Sequence, residues 1–129
     1  MKHDISVPPT SIGEFLKAAE EHCFELLECV RINTFDHLGD GNFHYNLFSP
    51  IGQKDFSGLE KEFAVNVARL ANGMKGAFAA EHGLGRYKVA LADTLRHPIE
   101  RQLMARLKSR LDEKGLFDLG VIVTSNGSL

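Results

Sequence analysis

The stretch VRINTFDHLGDGNFHYNLF, residues 30–48, decides the fold. On its first arm Val30 and Ile32 alternate with Arg31 and Asn33, and on its second Phe43, Tyr45 and Leu47 alternate with Asn42, His44 and Asn46. A period of two sends successive side chains to opposite faces of a strand. Between the arms, Gly39, Asp40 and Gly41 are residue types that tolerate the dihedrals of a tight turn. Residues 27–48 therefore read as a β-hairpin, and Asn42, His44 and Asn46 share one face of its second strand. His37 lies just before the turn, where its ring can reach back beside His44.

Working outward, KHDISVP alternates Ile5 and Val7 with polar neighbours and runs into Pro8-Pro9, which reads as a short strand. TSIGEFLKAAEEHC starts a helix: Ser11 and Glu14 have capping-box spacing, and Ile12, Phe15, Leu16, Ala19 and Cys23 recur on one face. On the other side of the hairpin, residues 57–74 have helical spacing through Leu59, Phe63, Val67, Leu70 and Met74. KGAFAAE, residues 75–81, is short and apolar and reads as a buried strand running centrally in the sheet. A last helix is expected from Pro98, with Ile99, Leu103, Leu107 and Leu111 along one stripe and a stop near Gly115. The order β-α-β-β-α-β followed by helices predicts an α+β, ferredoxin-like sheet with two helices on one face.

Composition bounds the function. A chain of 129 residues makes one domain that buries roughly two-thirds of its unfolded surface. A formal charge of −2 gives no basic field for nucleic acid. No apolar run approaches the ~18 residues of a membrane span, and no signal peptide precedes the first polar residues, so a cytoplasmic or membrane-peripheral location is expected. Cys23 and Cys29 are too few for a disulfide framework and are expected as reduced, buried thiols.

Two clusters could carry chemistry. A histidine pair on a hairpin is either solvated polar surface or part of a metal site, since imidazoles suit zinc and related ions and a carboxylate commonly completes the set. FAAEHGLGRYK, residues 78–88, offers Glu81 as a third ligand and His82 as a free general base. Its bland reading is a strand-end Glu-His in a glycine turn. Three functional classes stay open at this level: an enzyme part, a free-standing metal-binding or dimerising module, and a ligand-binding regulatory domain.

KHDISVPPTSI, HLGDGNFHYN, AEHGLGRYK and LMARLKSRLDEKGLF occur in this order. Together they resemble the C-terminal part of FAD-linked 2-hydroxyacid oxidoreductases, the D-lactate dehydrogenase, glycolate oxidase and D-2-hydroxyglutarate dehydrogenase group of the vanillyl-alcohol oxidase superfamily. The resemblance covers residues 2 to about 117, leaving 118–129 as an atypical tail. It implies that His37, His44 and Glu81 bind a divalent metal, zinc or manganese, and that His82 takes the substrate hydroxyl proton. It further implies that Asn46 and Lys2 meet the substrate, a small 2-hydroxy acid, and that FAD is bound mainly by another domain or subunit.

Three departures qualify what the resemblance implies. No part of the chain resembles the FAD-binding domain, and Gly83-Leu84-Gly85 is too short to cradle a pyrophosphate. The chain alone is thus expected to be unable to transfer hydride, and its uncovered sheet face to favour self-association. The end, LFDLGVIVTSNGSL, lacks the family's proline and lysine, and Val121-Ile122-Val123 is an apolar run suited to pairing with a neighbouring chain. Asp36 stands where the family usually has a glycine.

Overall fold

The computed structural model describes residues 1–123, without the side chains of Asp36 and Leu38. The chain forms two compact units, Met1–Glu81 and His82–Leu129. The class is α+β, with a three-stranded antiparallel sheet and four helices among the described residues.

In the first unit, β1 (Lys2–Ser6), β2 (Arg31–His37) and β3 (Asn42–Phe48) are ordered β1-β3-β2. The hairpin forms as its alternation predicts, closed by a 3₁₀ turn at Leu38–Asp40 and by Gly41. Gly41 has φ +67°, and a Cβ there would lie 2.1 Å from the Val7 carbonyl oxygen, so no other residue fits without displacing backbone. Its own carbonyl accepts from Val7 N–H at 2.9 Å, which ties the turn to the end of β1.

One sheet face is apolar. Ile5, Phe43, Tyr45 and Leu47 are buried and covered by α1 (Ile12–Leu26) and α2 (Glu60–Gly73). Phe15 of α1 meets Phe43 and Tyr45 edge-on, with ring centroids 5.2 and 5.9 Å away. Tyr45 Oη donates to Cys23 Sγ, and burial pushes both the phenol and the thiol above their ordinary pKa values. Cys23 is the buried thiol expected, but Cys29 is exposed, because it turns the chain at φ +63° between α1 and β2.

Local corrections follow from backbone geometry. Ser11 makes no side-chain cap, because the 3₁₀ turn Pro9–Ser11 holds it at φ −101°, ψ −2° rather than in an extended N-cap conformation. α2 starts at Glu60 rather than residue 57, because Ser57 and Gly58 are both left-handed (φ 57° and 84°).

The segment 75–81 is not the central strand that was expected. Ala77 makes a single antiparallel bridge to Ser6, on the edge of β1 away from β3. The approach is close: a Cβ on Gly76 would lie 1.9 Å from the Ser6 carbonyl oxygen. Regular pairing would next bring Ala79 to Asp4, yet Ala80 N–H is the donor that reaches Asp4 O, at 3.4 Å. One extra residue, as in a β-bulge, ends the ladder.

The second unit contains α3 (Val89–Leu95) and α4 (Pro98–Leu111). α4 opens at Pro98 as expected, with His97 Nδ1 accepting from Ile99 N–H. Its apolar stripe is exposed, from 55% at Leu107 to 84% at Leu111. The buried residue of α4 is Arg101, whose Nε and Nη2 donate to Asp93 Oδ1 at 2.8 and 2.7 Å. Beyond α4, Asp112 accepts from the Leu116 and Phe117 N–H groups, and Gly115 takes φ +60°. Residues 121–123 form a turn and bend rather than a strand, and the rest of the expected tail, 124–129, lies outside the described residues. No helix among the described residues is long and apolar enough to cross a membrane.

Candidate active site

Strand register builds the second sheet face in three rows. Lys2 and Asn33 flank Asn46, Asp4 and Phe35 flank His44, and Ser6 and His37 flank Asn42. Residues directly across an antiparallel pair share a face with Cβ atoms about 5 Å apart. Lys2, His37, His44 and Asn46, far apart in sequence, thus come together because β3 lies between β1 and β2.

The segment after Ala77 brings Glu81 to the same face. Asn42 Nδ2 donates to Glu81 Oε1 at 2.5 Å, and Glu81 N–H donates to Asp4 Oδ2 at 2.9 Å. His37 Nδ1 stands 3.8 Å from Glu81 Oε1. His44 packs its ring on Phe35, with centroids 5.1 Å apart. Phe35, His37, Asn42, His44 and Glu81, backed by Phe43, line a recess of about 100 Å³. His37 is open to solvent, its side chain 74% exposed against 40% for Glu81.

Two imidazoles and a carboxylate around an open recess are a donor set that zinc or manganese accepts while keeping a position for another ligand. Two atoms bound to one tetrahedral zinc at about 2.0–2.2 Å lie roughly 3.4 Å apart. The 3.8 Å between His37 and Glu81 is close to that spacing. Among the described residues, however, no three His, Cys, Asp or Glu side chains are already gathered closely enough to hold an ion. The donor types suit a divalent ion, and gathering all three around one would require local side-chain movement.

Asn46 is 6% exposed, and its Oδ1 has no hydrogen-bond partner among the described residues. A buried acceptor left unpaired costs about 1–3 kcal/mol, which a ligand donor would relieve. Of the sequence-predicted residues, Lys2, His37, His44, Asn46 and Glu81 therefore share one face. His82 is exposed, begins the second unit and is not among the residues lining the recess. The side chain of Asp36 lies outside the described residues.

Two participants had no role assigned from the sequence: Asp4, which was not singled out, and Asn42, which was placed on the polar face only. The signal was available in both cases: Asp4 alternates with Lys2 on β1, and Asn42 with His44 on β3.

The sequence model described as FAD linked oxidases, C-terminal domain, matches residues 1–121. The chain belongs to this family. Among curated FAD-linked oxidase relatives, D-2-hydroxyglutarate dehydrogenase of Stutzerimonas stutzeri is 32% identical over 94% of this chain and 26% of its own length. The mitochondrial D-2-hydroxyglutarate dehydrogenase of Danio rerio is 32% identical over 91% of this chain and 21% of its own. D-lactate dehydrogenase of Anaerostipes hadrus is 30% identical over 92% of this chain and 25% of its own. This FAD-linked oxidase chain spans about a quarter of the length of the curated relatives it matches.

Proposed function

We propose that this chain is the substrate- and metal-binding portion of a FAD-dependent oxidoreductase that converts a small 2-hydroxy acid, of the D-lactate, glycolate or D-2-hydroxyglutarate type, to its 2-oxo acid. The observation that carries this reading is that His37, His44 and Glu81 line one recess, with Lys2 and Asn46 on the same sheet face. When bound, the flavin supplies a hydride acceptor and the divalent ion a Lewis acid for the substrate hydroxyl.

The chain's own residues have separable roles. His37, His44 and Glu81 would hold the ion. Lys2, a point charge across from Asn46, attracts the substrate carboxylate. Asn46, buried and directly across from Lys2, meets the substrate and orients it. His82 takes the hydroxyl proton while hydride leaves the 2-carbon, a role that rests on its resemblance to the family's base. FAD binding falls mainly to a separate domain or subunit. The order 75–81, β1, β3, β2, with α1 and α2 on the apolar face, supports a ferredoxin-like arrangement whose fourth strand is incomplete.

A second reading is a free-standing ferredoxin-like module without catalytic activity, metal-binding or only dimerising, and it draws on the chain's spanning only about a quarter of its relatives' length. Two steps separate the readings. Sequencing the DNA upstream shows whether an FAD-binding coding region adjoins this one. The polypeptide carrying both parts, or the two chains mixed, is then assayed with D-lactate, glycolate and D-2-hydroxyglutarate and a dye acceptor. The enzyme reading expects oxidation of one of them, lowered about 10²–10⁴-fold by His82→Ala. Absence of turnover with an intact flavin would leave the module reading.

A further inference from the structure

We infer that Asp4 is a positioning residue of this site, holding Glu81 at the recess through the Glu81 backbone N–H. The inference rests on the metal-site reading above.

Asp4 is 5% exposed, and a buried carboxylate is costly unless strong hydrogen bonds compensate. Its partner is specific: Oδ2 accepts from Glu81 N–H at 2.9 Å, across almost the whole first unit. This contact is made where the backbone ladder fails. Ala77 is firmly bridged to Ser6, with both hydrogen bonds at 2.8 Å, whereas Ala80 N–H reaches Asp4 O only at 3.4 Å. The Asp4 side chain takes over from the ladder at the residue that carries the candidate ligand. A carboxylate accepting a backbone N–H makes a charge-assisted bond, roughly twice as strong as a neutral one.

Asp4 also stands directly across from His44, so one buried side chain adjoins two of the three candidate ligands. Asn42 complements it from the other end by holding the Glu81 carboxylate. Together they fix both the main chain and the side-chain tip of Glu81, as supporting partners of a metal ligand do.

The test is a Co²⁺ titration of the full chain, read by visible absorption and affinity, with Asp4→Ala, Asp4→Asn and Glu81→Ala. The expected result is one Co²⁺ per parent chain, with affinity 10–100-fold weaker in Asp4→Ala. Asp4→Asn keeps an acceptor oxygen and should recover most of that affinity and the parent's absorption bands. Unchanged affinity in Asp4→Ala, or equal loss in Asp4→Asn, would overturn the positioning role. A second readout needs no metal: hydrogen exchange of the Glu81 amide in the ion-free chain. The amide should be protected in the parent and Asp4→Asn and exchange freely in Asp4→Ala, with circular dichroism confirming that each variant folds. Equal protection in all three would sink the inference. If the parent, like Glu81→Ala, takes up no Co²⁺, the metal reading fails, and the amide alone then judges the hold of Asp4 on Glu81.

Discussion

In Met1–Glu81 the apolar residues at strand and helix spacing lie inside: Phe15, Phe43, Tyr45, Leu47 and Phe63 are at most 1% exposed. In His82–Leu129 the corresponding stripe, Ile99, Leu103, Leu107 and Leu111, stays outside, and α4 buries Arg101 instead. Both patterns are legible as amphipathic, yet they have opposite outcomes. Periodicity reports which residues share a face, and only an available partner face decides whether that face is covered. In the first unit one covering helix, α1, lies between β1 and β2 in the chain and the other, α2, follows β3, and the opposite sheet face carries the candidate site.

The contrast can be broken most sharply by truncation. Phe15→Ala should destabilise the chain by about 3–5 kcal/mol, whereas Leu107→Ala should change stability by less than about 0.5 kcal/mol. Urea unfolding followed by circular dichroism measures both, and equal losses would remove the distinction. Gly41→Ala comes next, at about 2–3 kcal/mol, because it adds strain at φ +67° and a clash with the Val7 carbonyl. The same unfolding curves check it, and a neutral change would show that the hairpin turn is not tied to β1. Arg101→Met should cost about 1–2 kcal/mol, less than a buried ion pair would, because Asp93 is 39% exposed and stays hydrated when its partner goes.

The smallest effect is a pH dependence at the end of α4. Lys108, then the Phe117 and Leu116 N–H groups, hold the Asp112 carboxyl down at about 2. Because the folded value lies below the ordinary one, the stabilisation is fully present above about pH 4 and is lost as the pH falls through about 2. A carboxyl NMR titration should place Asp112 below the ordinary carboxylate range, with the Leu116 and Phe117 amides shifting in step. Titration of Asp112 in the ordinary range would contradict the capping geometry.

How far the sequence could be read follows the same division. The hairpin, its polar face and the grouping of His37, His44 and Asn46 were all legible, because strand alternation is local and the turn residues are explicit. The fate of residues 75–81 was not, since the ladder ends one bridge in and a side chain, Asp4, takes over from backbone pairing. Asp4 was overlooked for that reason: a charged residue in an N-terminal strand reads as solvated until the segment that covers it is known. The capping box failed because Pro8 and Pro9 lead into a 3₁₀ turn that sets the Ser11 dihedrals. α3 was not resolved from the helices expected near the C-terminus, being only seven residues long. The pairing of Arg101 with Asp93 depends on two helices meeting, which periodicity within either one does not encode.

The claim that the polar face of the hairpin sheet is a metal site is tested most directly by the metal content of the purified chain. Zn²⁺ or Mn²⁺ is measured by calorimetric titration and elemental analysis, for the parent and for His44→Ala. The prediction is one ion per chain in the parent and loss of that ion in His44→Ala. A parent chain that binds no ion, or a His44→Ala chain that binds it equally well, would contradict it.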